Sequence, residues 1–124
     1  MTEALRGIVV AHGGVAEALV AAAEEISGVR GSLVAVSNSG LGRELLEQRV
    51  MEAVGEHPAI IFVDLPSGSC HFAVMRRRAQ RSDLGVVTGV NLLMLLEFLF
   101  HRDESPAEVA RRVAEAGTRG ISER

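Results

Sequence analysis

The sequence predicts an open α/β sheet, mostly parallel, with helices on both faces. Three observations lead there. Short runs that are apolar at consecutive positions recur along the chain, as at Ile8-Val9-Val10 and Ile60-Ile61-Phe62-Val63, the pattern of parallel strands covered on both sides. Between them lie longer stretches with apolar residues at helical spacing. The two patterns alternate, which calls for right-handed crossovers between parallel strands. At 124 residues the chain reads as a single domain, 1–124, with room for a sizeable core.

The elements follow in order. Residues 6–10 form strand 1, which ends in Ala11-His12-Gly13-Gly14. Val15, Ala18, Leu19, Ala22 and Ile26 then mark a helix that Gly28 stops. Strand 2 covers 32–36, and the loop Ser37-Asn38-Ser39-Gly40 leads to a second helix over about 41–54, broken by His57-Pro58. Strand 3 covers 59–63 and ends at Asp64; after Leu65-Pro66-Ser67-Gly68-Ser69 a third helix runs from about Cys70 to Arg81. Strand 4 covers 85–88 and a strongly apolar fourth helix 92–100. Ser105-Pro106-Ala107-Glu108 is a capping box with Pro at the first helical position, so a fifth helix starts there, ending near Gly117. Gly120-Ile121-Ser122 is a candidate edge strand 5.

Composition narrows the function. The net charge is −3, which argues against a general attraction to nucleic acid. All 13 basic residues are Arg, so a phosphate-loop lysine and a Schiff-base lysine are both excluded. One Cys rules out an intramolecular disulfide. No signal peptide or membrane-spanning run is visible, so the expected setting is the cytoplasm, without membrane insertion.

The flavodoxin-like strand order 2-1-3-4, with strand 5 at the edge, makes strands 1 and 3 neighbours. Ligands bind such sheets where the order reverses, outside the carboxyl ends of those strands. His12 and Asp64 therefore meet at one crevice, and Asp64 is one of only 3 Asp in the chain. A carboxylate on one ring nitrogen fixes the tautomer and leaves the other nitrogen's lone pair free for attack. Gly13-Gly14 and Ser67-Gly68-Ser69 are candidate phosphate donors beside two helix N-termini, with no Ser, Thr, Asp or Asn after His12 to cap the first. The scheme needs no metal or cofactor, and Cys70, His71, His57 and His101 lack metal-ligand spacing and read as structural or solvent-facing. Arg76-Arg77-Arg78 with Arg81 reads as a solvated face that complements a helix C-terminus. The apolar fourth helix is either deeply buried or half of a subunit interface.

Four segments, in order and at matching separations, resemble the EIIA components of the mannose/fructose/sorbose class of the bacterial phosphoenolpyruvate-dependent sugar phosphotransferase system (PTS). They are Gly7-Ile8-Val9-Val10-Ala11-His12-Gly13, Phe62-Val63-Asp64-Leu65-Pro66-Ser67-Gly68-Ser69, Thr88-Gly89-Val90-Asn91-Leu92-Leu93-Met94-Leu95-Leu96-Glu97 and Ala116-Gly117-Thr118-Arg119-Gly120-Ile121. The resemblance implies that His12 takes a phosphoryl group from phospho-HPr and gives it to an EIIB partner, with Asp64 holding the ring. It also implies a homodimer with a C-terminal strand that can cross to the partner's sheet, and an indirect link to membrane EIIC and EIID components. The chain departs from the family at Ser67, where the pattern has Gly, and at Cys70, where it has Pro. Two further readings share the fold: a regulatory interaction protein whose His12 phosphorylation reports sugar flux, and a phosphoryl donor to dihydroxyacetone kinase. A response-regulator receiver is a poor fit, with no lysine and no acidic pair after strand 1, and so is a flavin binder, whose loops would carry stacking aromatics.

Overall fold

The structure, a computed structural model, describes residues 4–124; the first three residues of the expected 1–124 domain lie outside it. In chain order the elements are β1 (Arg6–Ala11), α1 (Val15–Ser27), β2 (Leu33–Ser37), α2 (Arg43–Val54), β3 (Ala59–Val63), α3 (Ser69–Arg78), β4 (Leu84–Thr88), α4 (Leu92–Phe100) and α5 (Pro106–Arg119). Among the described residues they form one sheet of four parallel strands in the order β2-β1-β3-β4. Among the described residues no helix is long and apolar enough to cross a membrane.

The consecutive apolar runs are explained by two cores, one on each face of the sheet. Val9, Ala11, Ile60 and Phe62 pack with α1, α4 and α5. Their sequence neighbours Ile8, Val10, Ile61 and Val63 point the opposite way, onto α2 and α3. All five residues of β3 are buried. Phe62 meets Phe98 of α4 edge-on, with ring centroids 5.4 Å apart and planes at 82°. Gly7 makes that approach possible, since a Cβ there would stand 2.7 Å from both Phe98 Cε2 and Leu33 Cδ2.

The sequence signals for the end of α1 and the start of α5 hold. Gly28 stops α1 in the left-handed region, at φ 75°. Ser105 Oγ accepts from the Glu108 N–H at 3.3 Å, and Pro106 opens α5. Arg81 is more than a solvated charge: its guanidinium grips Asp83 at 2.7 and 2.8 Å and donates to the carbonyls of Gly55 (2.7 Å) and His57 (3.0 Å). It thereby ties the chain after α3 to the turn that delivers β3. This grip holds the Asp83 carboxyl below its usual range and raises the Arg81 guanidinium.

The expected fifth strand is not formed among the described residues. Instead α5 continues to Arg119, two residues past the predicted stop at Gly117. Gly117 is buried and its missing Cβ admits Met94, whose Cε would lie 2.5 Å from it. Asn91 Nδ2 donates to the Gly117 carbonyl at 3.1 Å, and Thr118 Oγ1 to that of Ala114 at 3.0 Å. Gly117 is thus a packing glycine inside the helix rather than its terminator. Beyond it Ile121 is 77% exposed. The fourth helix is buried on one face, through Met94, Leu95, Phe98 and Leu99, and exposes Leu93 and Phe100 on the other.

Candidate functional site

The site lies where the strand order reverses. β1 and β3 pair in register from Arg6 with Ala59 to Val10 with Val63. Both strands then end, with His12 directly after β1 and Asp64 directly after β3, so backbone pairing alone brings the two side chains to one edge. Asp64 Oδ2 accepts two hydrogen bonds from the same residue, the His12 backbone N–H at 2.9 Å and ring Nδ1 at 2.8 Å. Its Oδ1 accepts the Leu65 N–H at 3.0 Å.

These bonds decide the chemistry. Burial pushes the Asp64 carboxyl up, but the bonds from His12, its charge when protonated and the Leu65 N–H outweigh burial and leave the carboxyl below its ordinary value. An ionised carboxylate only accepts, so Nδ1 carries the proton. In the neutral ring the lone pair then sits on Nε2. The His12 side chain is 40% exposed while that of Asp64 is 15% exposed, so the ring is open to a partner and its anchor is shielded.

Gly68 lies beside that free nitrogen. A Cβ built on it would stand 3.9 Å from Cε1 and 4.0 Å from Nε2 of His12. Its φ of +93° with ψ −172° belongs to glycine, and it opens α3 without a side-chain cap. Gly14 likewise opens α1 with no side-chain cap. Two uncapped helix N-termini therefore flank the imidazole, an arrangement that favours anionic oxygens. Next to Gly68 and Ser69 a cleft of about 410 Å³ extends to Leu41, Gly42 and Phe72, with Arg43 stacked 4.4 Å over the Phe72 ring.

Of the expected phosphate donors, Gly14, Ser67, Gly68 and Ser69 are exposed at this rim. Gly13 differs: its N–H donates to Asn38 Oδ1 at 3.2 Å, and its carbonyl accepts Ser37 Oγ at 2.7 Å. The loop after β2 thus clamps the His12-Gly13 turn. Sequence reading assigned no role to Ser37 or Asn38, although the strand order 2-1-3-4 already puts the end of β2 beside the end of β1. Sequence spacing also separated Cys70 from any metal ligand. In the fold one donor atom each from His12, Asp64 and Cys70 lie within 4.8 Å of one another.

The fold is thus an open parallel sheet with a carboxylate-held histidine at its switch point. A model of the EIIA-man family, described as PTS system fructose IIA component, matches residues 7–114. The chain belongs to that family, and its role is phosphotransfer within a sugar phosphotransferase system. No curated protein matches the chain. Among solved structures, the phosphotransferase system component EIIA from Streptococcus agalactiae is 22% identical, with 96% of each chain covered and a TM-score of 0.89. The mannose/sorbose specific IIA subunit from Enterococcus faecalis is 24% identical, covering 98% of this chain and 96% of that one, with a TM-score of 0.83. The PTS IIA protein associated with the fucose utilization operon from Streptococcus pneumoniae is 20% identical, covering 99% and 96%, with a TM-score of 0.72. At these identities the likeness is one of fold.

Proposed function

We propose that the chain is a cytoplasmic EIIA phosphocarrier in which His12 Nε2 is the phosphoryl acceptor. The observation that carries this reading is the 2.8 Å bond between His12 Nδ1 and Asp64, which favours a proton on Nδ1 and a lone pair on Nε2 in a ring that is part-exposed. The Nε2 lone pair attacks the phosphorus of phospho-HPr; a P–N bond forms on His12 as the one on HPr breaks. The ring keeps its proton on Nδ1, and Asp64 offsets the positive charge that appears. Gly14 and the Ser67-Gly68-Ser69 rim supply donors to the phosphoryl oxygens. The nucleophile of EIIB then attacks phosphorus, the Nε2–P bond breaks and the ring returns to its neutral tautomer. EIIC and EIID in the membrane complete the sugar's path.

The exposed side of α4 supports a homodimer. Leu93 and Phe100 stand out of a helix with a single charge, and Leu93 lies against Gly120 at the end of α5. A second copy covers these residues and gives the C-terminal segment a sheet edge to join.

The test is incubation with phosphoenolpyruvate, enzyme I and HPr. One acid-labile phosphate per chain is expected on the wild type and none on His12→Ala. Failure with several HPr proteins, or unchanged labelling of His12→Ala, refutes the proposal.

A further inference from the structure

Cys70 is the chain's only cysteine, is fully buried at the first turn of α3, and has no part in the phosphoryl mechanism. With His12 and Asp64 it makes a set of three different donors, N, O and S, all within 4.8 Å of one another. That mixture suits zinc and its neighbours and ill suits magnesium or calcium, which take oxygen. We propose that His12 Nδ1, Asp64 and Cys70 Sγ form a three-ligand site for one divalent ion of the zinc class, and that its occupation switches off phosphoryl acceptance by His12. The second half rests on the phosphocarrier reading above; the first does not.

The geometry is within reach of side-chain adjustment. Bonds of about 2.0–2.3 Å at tetrahedral angles put ligand atoms roughly 3.3–3.6 Å apart. The His12–Asp64 pair, now at 2.8 Å, opens by about half an ångström, and the thiol closes by little more than one. Entry is from the His12 side, since Cys70 is sealed by the core around Ala73 and Val74. Three protein ligands leave the fourth position to water.

The protons account for the switch. As the ion binds, the S–H bond breaks, a metal–sulfur bond forms and one proton leaves to solvent. The metal also takes the Nδ1 lone pair, so the ring proton moves by way of water from Nδ1 to Nε2. Nε2 then has no lone pair with which to attack phosphorus. Metal and phosphoryl group thus exclude one another, although they bind different nitrogens.

The experiment titrates the reduced, metal-free chain with Co²⁺ and then displaces it with Zn²⁺, using wild type, Cys70→Ala, Cys70→Ser and His12→Ala. The site requires one Co²⁺ per chain with a sulfur-to-cobalt charge-transfer band in the near ultraviolet. It also requires loss of that band in both Cys70 variants and roughly 100-fold weaker Zn²⁺ binding in all three. In the phosphorylation assay, one equivalent of Zn²⁺ stops labelling of wild type and leaves labelling of Cys70→Ala unchanged. No charge-transfer band in the wild type, or equal Zn²⁺ affinity in Cys70→Ala, overturns the site. Labelling that proceeds at full rate in the zinc-loaded wild type overturns the switch. If the metal-free wild type is never labelled, the phosphocarrier reading fails, while the cobalt spectrum still decides the site.

Discussion

Asp64→Asn is the sharpest perturbation of the candidate site because it changes charge and donor pattern with almost no change of shape. In the wild type three hydrogen bonds converge on the carboxylate: two from His12 onto Oδ2 and one from Leu65 onto Oδ1. An amide has one acceptor oxygen and one NH2 group, so one end must meet an N–H with an N–H. If the NH2 faces His12, it opposes the His12 backbone N–H and donates to Nδ1, which drives the ring proton to Nε2 and removes the nucleophilic lone pair. If it faces Leu65, the ring keeps its tautomer but loses the charge that offsets the phosphorylated imidazole. The unmatched N–H costs about 1–3 kcal/mol of stability. A wrong tautomer at an equivalent histidine–aspartate pair costs up to ~10⁴ in rate, so a fall of roughly 10²–10⁴ is expected, equivalent to about 3–5 kcal/mol of barrier. The assay is the single-turnover rate of phosphohistidine formation from phospho-HPr, with urea unfolding to confirm that the variant is folded. A folded Asp64→Asn that is labelled within about twofold of the wild-type rate refutes the reasoning.

Gly68→Ala places a methyl about 4 Å from Nε2 at a φ of +93°. Strain of about 1–3 kcal/mol in the loop and a slower phosphoryl transfer are expected, measured by thermal unfolding and the same single-turnover assay. Arg81→Ala removes a side chain, only 15% exposed, that joins Asp83 to two backbone carbonyls; a loss of about 2–3 kcal/mol in urea unfolding is expected, with transfer unchanged at temperatures where the variant is folded. The folded-state pKa of Asp64 lies below its ordinary 3.8, so the folded state binds fewer protons there than the unfolded one. The stability that this carboxylate contributes is therefore complete well above pH 3.8 and is lost as pH falls through its lowered folded pKa. Wild type minus Asp64→Asn stability, followed by urea unfolding from neutral pH into acid, should shrink in that window and not at neutral pH.

Much of this protein is legible in its sequence because the strands are buried on both faces. Ile8 to Ala11 and Ala59 to Val63 leave no doubt of a covered parallel sheet, and the strand order that follows is enough to bring His12 to Asp64. What the sequence hides depends on side chains from separate segments. Gly117 looks like a helix stop, yet Met94 and Asn91 hold it inside α5. Asn38 looks like an ordinary loop residue, yet it takes the Gly13 N–H that the sequence assigned to a phosphate. Cys70 looks like a core residue, which it is, but the turn of α3 that buries it also sets its sulfur next to the His12–Asp64 pair. Each of these depends on packing between elements, which periodicity along one segment does not record.

The central claim is that Asp64 holds Nδ1 so that His12 receives the phosphoryl group on Nε2. Long-range proton–nitrogen correlation spectra of the ¹⁵N-histidine-labelled chain, recorded before and after phosphorylation, test it directly. The account predicts a neutral ring with its proton on Nδ1 before the reaction and phosphorus bonded to Nε2 of His12 after it. Phosphorus on Nδ1 of His12, or on any other residue, contradicts it.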